Sequence, residues 1–90
     1  MNFEFTENGW EDFAYWLETD SGIAEKIKEL LQDIKKSPFQ GIGKPEPLKH
    51  SLKGYWSRRI TGEHRLVYRV DGRKGRDQKC YILQCRFHYD

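Results

Sequence analysis

Apolar and polar positions alternate along Asn2-Phe3-Glu4-Phe5, the two-residue period of a strand. From Trp10 the period lengthens. Trp10, Phe13, Ala14 and Leu17 recur at helical spacing, and Thr6 stands where an N-cap belongs. Thr19-Asp20-Ser21-Gly22 interrupts this helix. Ile23, Ile27, Leu30, Leu31 and Ile34 then mark one face of a second helix, whose other face is charged. Lys35 and Lys36 suit its negative C-terminal end, and Pro38 follows its stop. Residues 38–50 are rich in Gly and Pro and read as irregular. Strand-like runs follow at about 54–61, 63–71 and 79–89. Gly62 marks a tight turn, and 71–79 a longer charged hairpin loop. The order β-α-α-β-β-β predicts an α+β domain, with a helical hairpin packed on one face of an antiparallel sheet.

Side chains alternate across a strand, so each run has two faces. Leu66, Tyr68 and Val70 oppose Arg65, Val67 and Arg69. In the last run Tyr81, Leu83, Cys85, Phe87 and Tyr89 share one face, and Ile82, Gln84, Arg86 and His88 the other. Burying unpaired arginines costs several kcal/mol each, so the apolar sets belong under the helices. The uncovered face then displays Arg65, Arg69, Arg86 and His88. Trp56 and Ile60 look inward, which adds Arg59 to the basic set. Exposed sheet faces usually mix both signs of charge; this one is expected to carry arginines and no acid. Arginine makes bidentate contacts to phosphate.

Composition sharpens this picture. Ninety residues predict a single domain spanning 1–90, with a radius of gyration of roughly 12 Å. Only 37% of the chain is hydrophobic and 33% is charged, but 14% is aromatic, which a disordered chain would lack. The net charge of +2 hides a split. Residues 1–40 carry nine acids and four bases, and residues 41–90 five acids and twelve bases. One basic surface fits a polyanion such as nucleic acid; a merely solubilising surface is the alternative. Cys80 and Cys85, on one extended strand, would lie roughly 16 Å apart and face opposite sides. That geometry predicts no disulfide and fits a reducing compartment. No Cys-x-x-Cys or His/Cys cluster offers a zinc site, and no cofactor is expected. No apolar run approaches the roughly 20 residues of a membrane span. Met1-Asn2-Phe3-Glu4 has neither a basic nor an apolar leader region, so the expected compartment is the cytoplasm.

The most unusual stretch is Lys44-Pro45-Glu46-Pro47-Leu48-Lys49-His50. Two prolines restrict the backbone on both sides of a carboxylate, which pre-organises a catalytic base. Lys44 and Lys49 keep that carboxylate ionised and attract a polyanion. A rigid surface loop with a Glu–Lys pair is the alternative. Gly41-Ile42-Gly43-Lys44 lacks the spacer and the Ser/Thr of a P-loop. RNA cleavage through the 2′-hydroxyl needs a base, cations for the pentacoordinate phosphate and an acid for the leaving oxygen. Glu46, Arg65 with Arg59, and His88 match those needs without a metal. Tyr89 would stack on a base or shape the site. His64 falls beside a turn and reads as a surface residue; His50 is a weaker candidate for orienting phosphate.

These blocks resemble the YoeB/Txe toxins of the RelE-like superfamily over nearly the whole chain. The resemblance is densest in PFQGIGKPEPLKH at 38–50, GYWSRRI at 54–60, EHRLVY at 63–68 and CRFHY at 85–89. It implies a RelE-like, microbial-ribonuclease-like fold and a ribosome-dependent mRNA endonuclease that cuts in the ribosomal A site. It implies Glu46 as general base, His88 as general acid, Arg65 as phosphate and transition-state stabiliser, and Tyr89 as the adjoining aromatic. Lys49 and Arg59 match basic positions that support RNA binding, and Lys44, Arg69 and Arg86 extend that set. The implied partners are a cognate YefM-like antitoxin, the ribosome with its mRNA, operator DNA through the antitoxin complex, and a second copy of the chain. Two departures stand out: the chain continues past the His-Tyr pair to Asp90, and the loop 71–79 is longer and more basic than the family norm. A non-catalytic blocker of the ribosome and a structural subunit of a repressor complex are the competing readings.

Overall fold

A computed structural model describes residues 1–87. Strand β1 (Asn2–Phe5) leads into helices α1 (Glu7–Thr19) and α2 (Ser21–Lys36). A two-residue strand β2 (Glu46–Pro47), a 3₁₀ turn (His50–Leu52), and strands β3 (Trp56–Arg59), β4 (Arg65–Asp71) and β5 (Lys79–Gln84) follow. The sheet order is β1-β5-β4-β3-β2. The expected α+β class and helical hairpin are present. The sheet, however, is mixed, because β1 lies parallel to β5, with Phe3 opposite Cys80. The segment expected to be irregular contains β2, which pairs antiparallel with β3. The radius of gyration is 12.2 Å. No helix among the described residues is long and apolar enough to cross a membrane.

Local chemistry explains the helix ends. Thr6 Oγ1 accepts from the N–H of Gly9 at 3.0 Å and donates to the carbonyl of Leu83 at 3.0 Å, so one hydroxyl caps α1 and ties it to β5. Asp20 caps α2 by accepting from the N–H of Gly22 and of Ile23. The core joins Trp16, Ala24, Ile27, Leu30 and Ile34 of the hairpin to Leu66, Tyr68, Cys80 and Ile82 of the sheet.

The buried face of α1 differs from the expected stripe. Trp10 is 53% exposed and Leu17 54%, whereas Gly9 and Trp16 are buried. The reason is a close approach. Any Cβ on Gly9 would strike the carbonyl oxygen of Ile82, so only glycine lets α1 sit down on β5 along this line. Trp16, two turns on, then reaches the carbonyl of Cys85 with its Nε1 at 2.8 Å. Trp10 packs beside Phe5 and Phe13 instead, at ring centroids of 5.8 and 6.2 Å. Gly9→Ala is therefore destabilising by about 1–3 kcal/mol, because overpacking outweighs the roughly 1 kcal/mol that alanine gains in a helix. A thermal melt checks this, and an unchanged or raised midpoint contradicts the close approach.

The regular alternation of the last run also breaks. A register shift at Val67/Tyr68 sets Val67 against Gln84 and Tyr68 against Ile82, leaving Leu83 as the extra residue. Across this bulge Cys80, Ile82 and Cys85 all face the core. The two cysteines thus share a side rather than opposing each other, and both are free thiols. Burial pushes each thiol up to about 12, so neither is a ready nucleophile.

Candidate nucleic-acid interface and active site

Strand register builds the uncovered face row by row. Glu46 opposes Ser57, and Ser57 opposes Val67. Residues directly opposite share a face, so these three form one row across β2, β3 and β4. Two residues along, Arg59 opposes Arg65. Neighbouring rows on one face are about 7 Å apart, so the carboxylate of Glu46 and the guanidinium pair belong to one patch. In the other direction lies a row of Arg69 and Tyr81, with Tyr55 beside it. Ser57 and Val67 are fully buried although no helix covers this side. Neighbouring side chains therefore cover them, and Glu46, Arg59 and Arg65 belong to the same face.

The candidates within residues 1–87 can be placed. Glu46 sits exposed on β2 between Pro45 and Pro47; Glu46 and Pro47 line a groove of about 300 Å³ with Leu48, Lys49 and His50. Lys44 and His50 both adopt positive φ, at 51° and 57°, a region seldom used outside glycine, so the backbone on either side of Glu46 bends sharply. Lys49 and Arg59 are exposed. Arg65 is half-buried, and its Nε is buried without a hydrogen-bond partner among the described residues. A buried donor with no acceptor is costly unless a ligand supplies one.

Two expected members of the basic face stand elsewhere or are already occupied. Arg86 is not on the outer face, because it lies past the end of β5 at Gln84. Its guanidinium lies over the Tyr15 ring of α1 at 3.6 Å and over Phe87 at 4.6 Å. Arg69 is on the outer face, over Tyr81 at 4.9 Å, but its Nε donates to Asp71 at 3.0 Å. The face therefore carries an acid after all. His88, Tyr89 and Asp90 lie outside the described residues.

Two residues escaped the sequence reading. Arg58 is completely buried, and all its N–H groups are used. Nε donates to the Tyr68 hydroxyl at 3.1 Å; Nη1 donates to Asp33 and to the carbonyl of Ile42; Nη2 donates to the carbonyls of Ser37 and Gln40 at 2.7 and 3.1 Å. The Tyr68 hydroxyl donates in turn to the carbonyl of Pro38. One guanidinium thus gathers the loop between α2 and β2 that delivers Glu46. The Arg58 hydrogen bond holds the Asp33 carboxyl below its ordinary range. A usable signal was parity: Arg58 alternates with Trp56 and Ile60, which both point inward. His64 is the second. It is half-buried and engaged rather than a free surface residue: its ring meets Trp16 edge-on at 4.7 Å, and its Nδ1 accepts from the N–H of Phe87 at 2.7 Å. No local pattern announces that contact.

The C-terminal segment is tied on both edges. Asp12 accepts from the N–H of Cys85 at 3.0 Å, and the Trp16 indole donates to its carbonyl. The N–H of Arg65 donates to the carbonyl of Phe87 at 3.1 Å. Burial raises the Asp12 carboxyl above its ordinary value, although the Cys85 N–H and the Arg86 charge work against that.

Comparison with known proteins agrees with this architecture. A family model described as the YoeB-like toxin of bacterial type II toxin–antitoxin systems matches residues 5–89. Toxin YoeB of Escherichia coli strain K12 is 53% identical over 99% of this chain and all of its own. The solved YoeB/ParE toxin from Agrobacterium tumefaciens superposes with a TM-score of 0.93 at 50% identity, covering 99% of this chain and 100% of that one. The Staphylococcus aureus protein, solved as a YoeB dimer and as a YoeB–YefM complex, superposes with TM-scores of 0.88 and 0.87 at 44% and 43% identity, covering 99% of this chain and 98% of each. With the family model spanning nearly the whole sequence and full-length relatives at half identity, this chain belongs to the YoeB-like toxins of bacterial type II toxin–antitoxin systems.

Proposed function

We propose that this toxin is a ribosome-dependent mRNA endoribonuclease that cuts the message in the A site by general acid–base catalysis. Glu46 takes the proton from the 2′-hydroxyl, and the freed oxygen attacks the adjacent phosphorus. Arg65, with Arg59 opposite, neutralises the charge that gathers on the phosphoryl oxygens. The bond from phosphorus to the 5′-oxygen breaks, and His88 returns a proton to that oxygen. The products are a 2′,3′-cyclic phosphate and a 5′-hydroxyl end. Tyr89 packs against a base, and Lys44 and Lys49 hold the backbone of the message; Arg69 and Arg86, one paired and one stacked, add to the field.

The observation that carries this reading is Arg65. Its Nε is buried and unpartnered among the described residues, and it sits one row from Glu46. A phosphate oxygen is the acceptor such a donor lacks. The backbone supports the third role, since the carbonyl of Phe87, the residue before His88, is bonded to the N–H of Arg65. By analogy with the Staphylococcus aureus structures, the protein partners are a YefM-like antitoxin and a second copy of the chain. Operator DNA is reached only through the antitoxin complex, and the setting is the cytoplasm.

Primer extension on a defined mRNA in a purified translation system, with and without ribosomes, tests the proposal. Discrete new message ends that require both ribosomes and His88 are expected for the wild type and not for His88→Ala. Arrest of translation with an intact message overturns it in favour of a blocker that occupies the A site.

A further inference from the structure

We propose that His64 is a positioning residue for this reaction: through the lone pair of Nδ1 its imidazole holds the segment leading into His88, and it does so only while neutral. The inference rests on His88 as the general acid. The N–H of Phe87 lies 2.7 Å from Nδ1. A backbone N–H can only donate, so Nδ1 carries the lone pair and the ring proton sits on Nε2. The ring is fixed edge-on to Trp16 at 4.7 Å and tilted against Phe87 at 5.5 Å. The same Trp16 holds the carbonyl of Cys85, Asp12 holds its N–H, and Arg65 holds the carbonyl of Phe87.

The segment 85–87 has left the sheet ladder and depends on these ties. Phe87 adopts a φ of 64°, a left-handed conformation that a non-glycine residue keeps only when its surroundings impose it. Bonds to both its N–H and its carbonyl impose it here. Of the side chains involved, His64 alone changes from acceptor to donor on gaining a proton at the bonded atom. Asp12 keeps an acceptor oxygen when protonated, and the Trp16 indole does not titrate in this range. A protonated Nδ1 would face the Phe87 N–H donor to donor and open the clamp. Among the described residues, the charged groups around the imidazole are Asp12 on α1, Arg86 beside Phe87, and Glu63 and Arg65 flanking it in the chain. Asp12 and Glu63 bring negative charge to this neighbourhood, and Arg65 and Arg86 bring positive charge.

The test uses the full chain, isotope-labelled, with amide exchange of Phe87 followed from about pH 8 to about pH 5. Protection relative to an unstructured chain should exceed about tenfold at the alkaline end and vanish as imidazole protonates. His64→Asn, whose Oδ1 accepts but does not titrate, should keep the protection at every pH. His64→Ala should lose it throughout, while its far-ultraviolet spectrum is retained. Cleavage on ribosomes should fall about tenfold or more in His64→Ala and return to within about threefold in His64→Asn. Protection in the wild type that does not change across this pH range overturns the inference, as does His64→Ala cleaving at the wild-type rate. The wild-type exchange profile needs neither a variant nor a ribosome, so the clamp is decided by it even where His88→Ala stays active and the assignment of His88 fails.

Discussion

Replacing Arg58 with alanine is expected to lower the stability of the domain by about 3–5 kcal/mol, the range for breaking a buried ionic hydrogen-bond network. The guanidinium is fully buried and satisfies Asp33, the Tyr68 hydroxyl and the carbonyls of Ser37, Gln40 and Ile42 together. Alanine removes the guanidinium donor from all of these acceptors, leaving Asp33, among the described residues, only the N–H of Ile42, and opens a cavity in their midst. Domains of this size hold only about 5–15 kcal/mol in total, so the variant sits at the edge of folding. Arg58→Lys should recover little, because one ammonium cannot replace a planar fork serving five directions. Urea titration measures both. A loss below about 1 kcal/mol would mean that the network is not holding the loop that carries Glu46. The sign with pH is also determined. Asp33 has a folded value below its unfolded one, so its contribution is present above the ordinary carboxylate range and is lost as pH falls through the folded value. The wild type should therefore weaken in acid more steeply than Arg58→Met, which lacks that coupling.

Replacing Arg65 with alanine is expected to cost about 10²–10³-fold in single-turnover cleavage on the ribosome, as when one preorganised donor to a developing oxyanion is removed. Stability should change little, because the bond between the Arg65 N–H and the Phe87 carbonyl is made by the backbone and survives any side chain. Arg65→Lys keeps the charge but loses the buried Nε donor, so it should stay closer to alanine than to arginine. Equal activity of Lys and Arg at this position would reduce the side chain to a point charge. Full activity of a folded Arg65→Ala would remove it from the reaction altogether.

Local period and punctuation announce most of the architecture. Thr6 caps α1, Lys35 and Lys36 close α2, and the strand runs contain β3, β4 and β5. What failed depended on contacts between distant segments. The Trp10–Leu17 stripe is a sound helical pattern, but the glycine at position 9 turned another face to the sheet. Cys85 faces the core as expected, but before the bulge at Leu83 the sides are reversed: Ile82 is inward and Tyr81 shares the outer face with Arg69, and nothing in that run marks an extra residue. Of the candidate site, the shared placement was legible: Glu46, Arg59 and Arg65 occupy one face as alternation requires. Its supports were less so. Arg58 shares the parity of two inward residues, yet a charge there reads as solvated until Asp33 is known to meet it. His64 finds its partner in a segment that left the sheet.

The parallel pairing of β1 with β5 has a kinetic meaning. Phe3 meets Cys80 across 77 positions, and the anchors on Cys85 and Phe87 come later still. Contacts of such separation close last, because the intervening chain must first surrender its entropy. On a ribosome, where the N-terminal end emerges first, β1 has no strand to lie against until residues 79–82 arrive. Nascent chains are thus held open through most of their synthesis, and the sheet face with its arginines is completed only at the end. A protein proposed to attack ribosomes is in this way unable to assemble its weapon while it is still part of one.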